Sequence, residues 1–348
     1  MKICIIVNDI GTEQERYTTT LLAQKMHNQK HDVYYIGIED LAHYSEGFIG
    51  GMAVQADSKS FRTTSSYLES LQENKKNKQK ITSSDIDILL LRNDPAEEDK
   101  TKAWARVAGI SFGQMAIEEG VIVLNDANGL SHALNKMYFQ QFPKEVRPET
   151  LISRDKKEIF DFFQKNKKNI VLKPLFGSGG KNVFQVNENN VNNLNQMIEA
   201  IWNDGFVVAQ EYLPGSERGD TRLFMMNGQV LQYKGKYAAL RRENATGDIR
   251  SNLHAGGSVK PAVITEEILK IASLVRPNLV RDGMFFVGLD IIGSKLIEVN
   301  VFSPGGLYSA CDLTDVDFSK YVIESLEHKV YLRNLYSGKL NNNLLATL

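Results

Sequence analysis

Residues 285–307, FFVGLDIIGSKLIEVNVFSPGGL, leave few options open to this chain. Apolar and β-branched residues alternate on either side of Gly293-Ser294-Lys295, which reads as two antiparallel strands joined by a short turn. Val287, Leu289 and Ile291 fall on one face, Ile292, Leu296 and Phe302 on the other, so the pair belongs in a sheet covered on both sides. Asp290, Glu298 and Asn300 interrupt it. Glu298 and Asn300 are two apart and share a face. A two-residue turn sets Asp290 on the opposite face. A three-residue loop at 293–295 sets it across from Glu298, and this register is favoured because three-residue hairpin loops containing glycine are common. Facing carboxylates repel, and burying them unpaired is costly. Two arrangements relieve that conflict. One is a divalent cation of the Mg²⁺ kind, held by one or two carboxylates and substrate phosphates. The other is a sheet whose acids face solvent or pair with arginine or lysine.

A chain of 348 residues has room for two or three domains with cores of their own. Its formal net charge of -1 argues against a general nucleic-acid binder. No run of about 18 apolar residues offers a membrane span. The start, MKICIIVNDI, turns polar too soon for a signal peptide, which makes the cytoplasm the default compartment. Cys4 and Cys311 supply neither a disulfide framework nor zinc spacing. Cys4 reads as core, and Cys311 has no evident base partner.

Read in order, the chain opens with a strand at 2–7, a helix at 15–29 and a strand at 33–38, a βαβ unit that implies a parallel sheet. Residues 44–84 read as irregular, with Lys75, Lys76, Lys78 and Lys80 on a solvated loop. The strand at 87–93 ends at Arg92, Asp94 and Pro95. At the carboxyl end of a parallel strand, Arg92 is placed either to grip an anionic substrate or to cap its loop. A helix at 101–119 and a strand at 121–124 complete a first domain, and a helix at 131–142 carries Lys136. The strand IVLKP at 170–174 embeds Lys173 among apolar neighbours, which an ammonium tolerates when it meets an anion. Gly177, Gly179 and Gly180 follow in FGSGGKNVF, before a strand at 182–186. They form either a plain turn or a flap presenting N–H groups to phosphate. Further elements are a helix at 190–203, a strand at 206–211, and Asp220 and Arg222 on one face of a strand reaching 226. A hairpin through Asn227-Gly228 leads to a strand at 229–237. The polar, arginine-bearing stretch at 241–257 has the length of a lid. Helices at 265–281 and 318–330 complete the fold, and 333–348 reads as a loosely ordered tail.

In this order, a strand-embedded lysine, a glycine flap, a hinge, an arginine-rich lid and an acid hairpin ending Glu-Val-Asn resemble the ATP-grasp ligases. More closely, the chain resembles the bacterial-type glutathione synthetase family over roughly residues 1–330. The stretches that carry this are LLLRNDP (89–95), ALNKMYFQQF (133–142), RPETLISR (147–154), VLKPLFGSGGKNVF (171–184), AQEYLPGSERGDTRL (209–223), TGDIRSNLHAGG (246–257) and FVGLDIIGSKLIEVN (286–300). The last is highly specific, whereas the glycine flap alone is not.

The resemblance implies an α/β ATP-grasp fold with nucleotide between two antiparallel sheets. Its expected parts are an N-terminal parallel-sheet substrate domain at 1–126, a central subdomain with the glycine flap at 127–215, a C-terminal subdomain with the acid hairpin at 216–332, and a tail at 333–348. It implies that Lys136 and Lys173 contact ATP phosphates beneath the N–H groups of Gly177, Gly179 and Gly180. Glu211, Tyr212 and Leu213 would hold the adenine at the hinge, with Asp220 near the ribose. Asp290, Glu298 and Asn300 would bind Mg²⁺ or Mn²⁺, and Arg222, Arg242, Arg250 and Asn252 would serve the transferred phosphoryl group and an acyl intermediate. Arg92, Gly305 and Gly306 would face the acid substrate. The implied partners are ATP, γ-glutamylcysteine and glycine, in a cytoplasmic enzyme that self-associates and binds neither nucleic acid nor membrane. Two positions depart from the family pattern: Ser258 replaces a usual basic residue, and Ser303-Pro304-Gly305-Gly306-Leu307 replaces a Ser-Pro-Thr run. Both bear on substrate choice, so a ligase for another amino acid or peptide is the alternative. Residues 44–57 read as an extra segment.

Overall fold

The computed structural model describes residues 1–98, 100–177, 180–243 and 258–348. Four short apolar strands, Asp32–Gly37, Lys2–Val7, Ile88–Leu91 and Ile122–Leu124, lie in that order as a parallel sheet. Strands buried on both faces need helices above and below. Thr18–Asn28 and Ala105–Glu118 are two of these. Cys4 is fully buried in the first strand.

Residues 44–84 are not irregular. Leu41–His43, Ile49–Ala53 and Gln79–Thr82 form a small antiparallel sheet, and Thr63 caps a helix at Thr64–Glu73. Strands this short carry too little alternation to show in the sequence. Lys78 and Lys80 of the basic run pair with Asp40 and Glu46. The helix expected at 131–142 is also displaced. The Asp126 side chain accepts from the N–H groups of Asn128 and Gly129, which starts the helix early, at Ala127–His132. Lys136 therefore sits in an irregular connection before a single 3-10 turn, Tyr138–Gln141.

A second sheet, antiparallel, orders Phe184–Val186, Ile170–Pro174, Val207–Glu211 and Thr150–Ser153. It packs its apolar face on helices Lys156–Lys165 and Leu194–Trp202 through Ile159, Phe163, Leu172, Ile198 and Val207. A third sheet orders Ser258–Pro261, Ala239–Glu243, Asp220–Met226, Phe286–Ile292 and Lys295–Asn300, all antiparallel. Helix Glu266–Arg281 covers it, capped by Thr265. The strand expected at 229–237 is broken into two-residue pieces.

The tail is not loose. The last long helix runs Phe318–Leu335, and Asn342–Thr347 forms another helix. The Asn342 amide bonds the backbone N–H and C=O of Val123, both at 2.8 Å, so the tail covers an edge of the parallel sheet. Lys329, fully buried, donates to the carbonyls of Leu345 and Leu348 at 2.8 and 2.7 Å. A helix at Leu307–Thr314, which the sequence did not signal, begins at Gly306.

Candidate active site

The second and third sheets face each other across a cleft whose walls include Lys136, Lys173, Gly177, Gly180, Gln210 and Glu211 on one side. Asp220, Arg242, Glu298, Asn300 and Ser303 line the other, and Asp94 comes from the parallel sheet.

The acid hairpin reaches the expected pairing by an unexpected route. Ile292 pairs with Lys295, so the turn is the two-residue Gly293-Ser294 and not a three-residue loop. A bulge then shifts the register, leaving Ile297 unpaired, and Asp290 stands opposite Glu298 with Gly288 opposite Asn300. The two-residue turn also sets Leu296, fully buried, opposite Ile291 and so on the same face, not the opposite one.

Asp290 is buried with no exposure, and its charge is met by arginine. Arg222 Nε and Nη2 donate to its two oxygens at 2.6 and 2.7 Å, and Arg242 Nη2 adds a 2.6 Å bond. Arg242 also forks onto Asp220 with two 2.8 Å bonds. Register explains the set: Asp220 pairs with Arg242 across one strand boundary and Arg222 with Asp290 across the next. The alternating chain Asp220–Arg242–Asp290–Arg222 has no net charge, which allows four ionic residues below 9% exposure. Burial alone would raise the Asp290 pKa; the two guanidinium groups outweigh it and hold the carboxyl down at about 2. Burial likewise works against charged Arg242, yet Asp290 and Asp220 keep its pKa above the usual arginine value. The pairing of hairpin acids with arginine thus holds for Asp290. Asp220, expected near the ribose, spends both oxygens on Arg242.

Glu298 is different. It is exposed, and among the described residues it makes no hydrogen bond or ion pair. Its charge acts on Lys136, Lys173 and Asp94. Asn300 turns its amide nitrogen to Asp290 at 3.2 Å, which leaves its oxygen for another partner.

Lys173 projects from mid-strand and donates to Gln210 Oε1 at 2.9 Å, and Gln210 in turn donates to Thr150 Oγ1 at 3.2 Å. Burial lowers the Lys173 pKa against the pull of Glu298 and Asp290. Lys136 Nζ donates to the Gly177 carbonyl at 2.7 Å, and its backbone N–H bonds the Leu175 carbonyl. Burial brings its pKa down to about 8, with Glu298 opposing. Gly177 and Gly180 both take positive φ, as a turn in the flap requires. Gly179, Arg250 and Asn252 lie outside the described residues. At the hinge, the Glu211 N–H bonds the Glu149 carbonyl and the Tyr212 hydroxyl donates to Glu217. Leu213 lines the cleft beside Glu211.

Arg92 caps its surroundings: Nε donates to Thr19 Oγ1 at 3.1 Å and Nη2 to the Pro304 carbonyl at 3.3 Å. Burial lowers its pKa to about 10, and the same burial lifts neighbouring Glu13 to about 7. Arg222 Nη1 takes the next carbonyl, Gly305, at 3.0 Å. Arg92 and Arg222 therefore fix the 303–306 segment from two sides, and Gly306 takes a positive φ of 103° where helix 307–314 begins. Sequence reasoning gave no role to Gln210 or Asp94. Gln210 carries no motif; only strand pairing reveals that it meets Lys173.

Comparison with known proteins accords with this arrangement. The prokaryotic glutathione synthetase N-terminal domain matches residues 1–130, and the ATP-grasp domain of the same family matches 135–315. Glutathione synthetase of Vibrio vulnificus (strain YJ016) is 34% identical over 254 residues, 72% of this chain and 76% of its own. That of Escherichia coli (strain K12) is 35% identical over 228 residues, 65% of this chain and 68% of its own. Among solved structures, D-cycloserine synthetase DcsG superposes with a TM-score of 0.61 at 13% identity, covering 94% of this chain and all of the other (100%). D-alanyl-alanine synthetase A from Vibrio cholerae gives 0.55 at 12% identity, covering 95% and 98%. These distant structures share the ATP-grasp fold, and the closer sequence matches establish that the chain belongs to the prokaryotic glutathione synthetase family.

Proposed function

We propose that this enzyme joins the carboxyl group of γ-glutamylcysteine to the amine of glycine, splitting ATP to ADP and phosphate. The observation that supports it best is the convergence of Lys136, Lys173 and an uncommitted Glu298 in one cleft between two antiparallel sheets. A carboxylate resists attack by an amine, so the chemistry requires an activated acyl phosphate. The two lysines would face the transferring phosphate charge, and Gly177 and Gly180, which line the same cleft, would lie over it. Arg242, fixed by Asp220 and Asp290, lines the cleft and would meet the acyl phosphate and the tetrahedral oxyanion, while Arg222, whose donors go to Asp290 and the Gly305 carbonyl, would serve them by holding Asp290 and the 303–306 segment in place. Arg250 and Asn252 of the lid belong to the same reading. Glu211, Tyr212 and Leu213 would receive the adenine, and Asp220 acts through Arg242. Arg92, Gly305 and Gly306 would shape the acid site.

Among the described residues, no three His, Cys, Asp or Glu side chains cluster closely enough to hold a cation alone. The oxygen donors still fit a cation shared with phosphates: Glu298 is unpaired and the Asn300 oxygen is free. Glu298 and Asn300, with Asp290 where an arginine N–H gives way, would hold Mg²⁺ or Mn²⁺. The bound ion would neutralise charge on the ATP phosphates. A three-part division at 126 and 215, a cytoplasmic setting and self-association belong to the same reading.

Purified protein given ATP, γ-glutamylcysteine and glycine should release ADP and yield the tripeptide by mass. No product from that pair, with product from another acid or amine in a panel, would instead favour the second reading, which the Pro304-Gly305-Gly306 segment motivates.

A further inference from the structure

On the reading that an acyl phosphate meets an amine in this cleft, we propose that Asp94 is the general base that takes the proton from the incoming ammonium. Four acids line the cleft among the described residues: Asp94, Glu211, Asp220 and Glu298. Asp220 is tied to Arg242, Glu211 sits at the hinge, and Glu298 stands over the phosphate-facing lysines. Asp94 remains.

It lies just beyond the strand Ile88–Leu91, at the carboxyl end of the parallel sheet, two residues past Arg92. Asn8 clamps its backbone from both directions, accepting from its N–H at 2.7 Å and donating to its carbonyl at 2.9 Å. One carboxylate oxygen, Oδ1, accepts from the Ala96 N–H at 2.8 Å. The other makes no hydrogen bond among the described residues, so this cleft-lining carboxylate keeps an acceptor with a lone pair to spare. Burial is the main influence on its titration, Glu97 and Glu298 add to it and Lys136 opposes, and together they bring the carboxyl up to about 6. Such a group is ionised at neutral pH yet far more basic than an ordinary aspartate, the condition a general base requires.

An ammonium has no lone pair with which to attack. The Asp94 carboxylate accepts one N–H proton, and the freed pair forms the C–N bond at the acyl carbon. As the tetrahedral intermediate collapses, the C–O bond to phosphate breaks and its electron pair leaves with phosphate. Phosphate accepts the second nitrogen proton, and Asp94 returns the first to solvent.

Asp94→Asn keeps the oxygen that accepts from Ala96 and removes the base. Hydroxylamine, uncharged at neutral pH, needs no base and traps acyl phosphates as hydroxamates. With ATP and γ-glutamylcysteine, the variant is expected to lose about a hundredfold in kcat/KM for glycine while forming hydroxamate at the wild-type rate. The wild-type profile for glycine should also fall as pH drops through about 6, a limb the variant lacks. An equal loss with both acceptors, or no loss with glycine, overturns the proposal. Wild-type enzyme that forms no hydroxamate overturns the acyl phosphate reading along with it.

Discussion

Asp290 carries the heaviest electrostatic load of any residue in the site: no exposure, two guanidinium partners and a strand neighbour of like charge. Removing the charge leaves Arg222 and Arg242 short of a counter-ion in a dry setting. Asp290→Asn should therefore cost about 3–5 kcal/mol in urea unfolding. The pH dependence has a definite sign. The folded pKa, about 2, lies below the ordinary value of 3.8, so the contribution is full above pH 3.8 and fades as pH falls toward 2. The stability gap between wild type and variant should narrow over that window; a gap independent of pH would refute the ion-pair account. Lys173 is the opposite case. Its ammonium is partly buried against a neutral amide and its pKa is lowered, so without nucleotide the charge is a liability. Lys173→Met should leave the melting temperature of the empty protein no lower, while the upward shift on adding ATP disappears. A variant that melts early without ATP would show that Lys173 holds the sheet together instead.

At the scale of elements, the acid hairpin shows what was legible and what was not. Alternation from Phe286 to Asn300 announced two strands, and Asp290 was expected to meet Glu298 through a three-residue loop, where the chain uses a two-residue turn and a bulge. The bulge at Ile297 was invisible, because a bulge is a local trade of ladder hydrogen bonds that leaves no composition signal. Arg222 and Arg242 were legible as candidates, but not as a linked chain, which needs the register of three strands. Gly219 is the joint on which that register turns. It takes φ 91°, and a Cβ there would fall 1.8 Å from the Arg242 carbonyl oxygen. Backbone in this region is open essentially to glycine alone, at a cost of roughly 1–3 kcal/mol for other residues. Gly219→Ala should lower stability by at least that amount and displace Arg242, so ADP release should fall although no substrate contact is altered. A variant as stable and active as wild type would mean the strand start at Asp220 can shift freely.

Over the whole molecule, two asparagines join regions far apart in sequence. Asn342, in the tail, bonds both backbone groups of Val123 and the Asp126 carboxylate at 2.7 Å. Asn125, between those positions, accepts from the Phe286 N–H at 2.8 Å and donates to the carbonyls of Phe286 and Val301. One short segment, 123–126, thus ties the tail to the parallel sheet and the parallel sheet to the base of the acid hairpin. Nothing in the sequence signals this, since the run Asn341-Asn342-Asn343 in a polar tail looks like solvated loop and the partners of Asn342 and Asn125 lie more than a hundred and fifty residues away. Each amide serves buried backbone groups that would otherwise go unpaired, so Asn125→Ala and Asn342→Ala should each cost about 1–3 kcal/mol. Because both act on the same few residues, their effects should not add. A double-mutant cycle in urea should return a coupling of at least roughly 0.5 kcal/mol, the range found for residues that share partners. Simple additivity would mean that the tail merely covers the sheet edge, with no mechanical hold on the hairpin that carries Asp290 and Glu298.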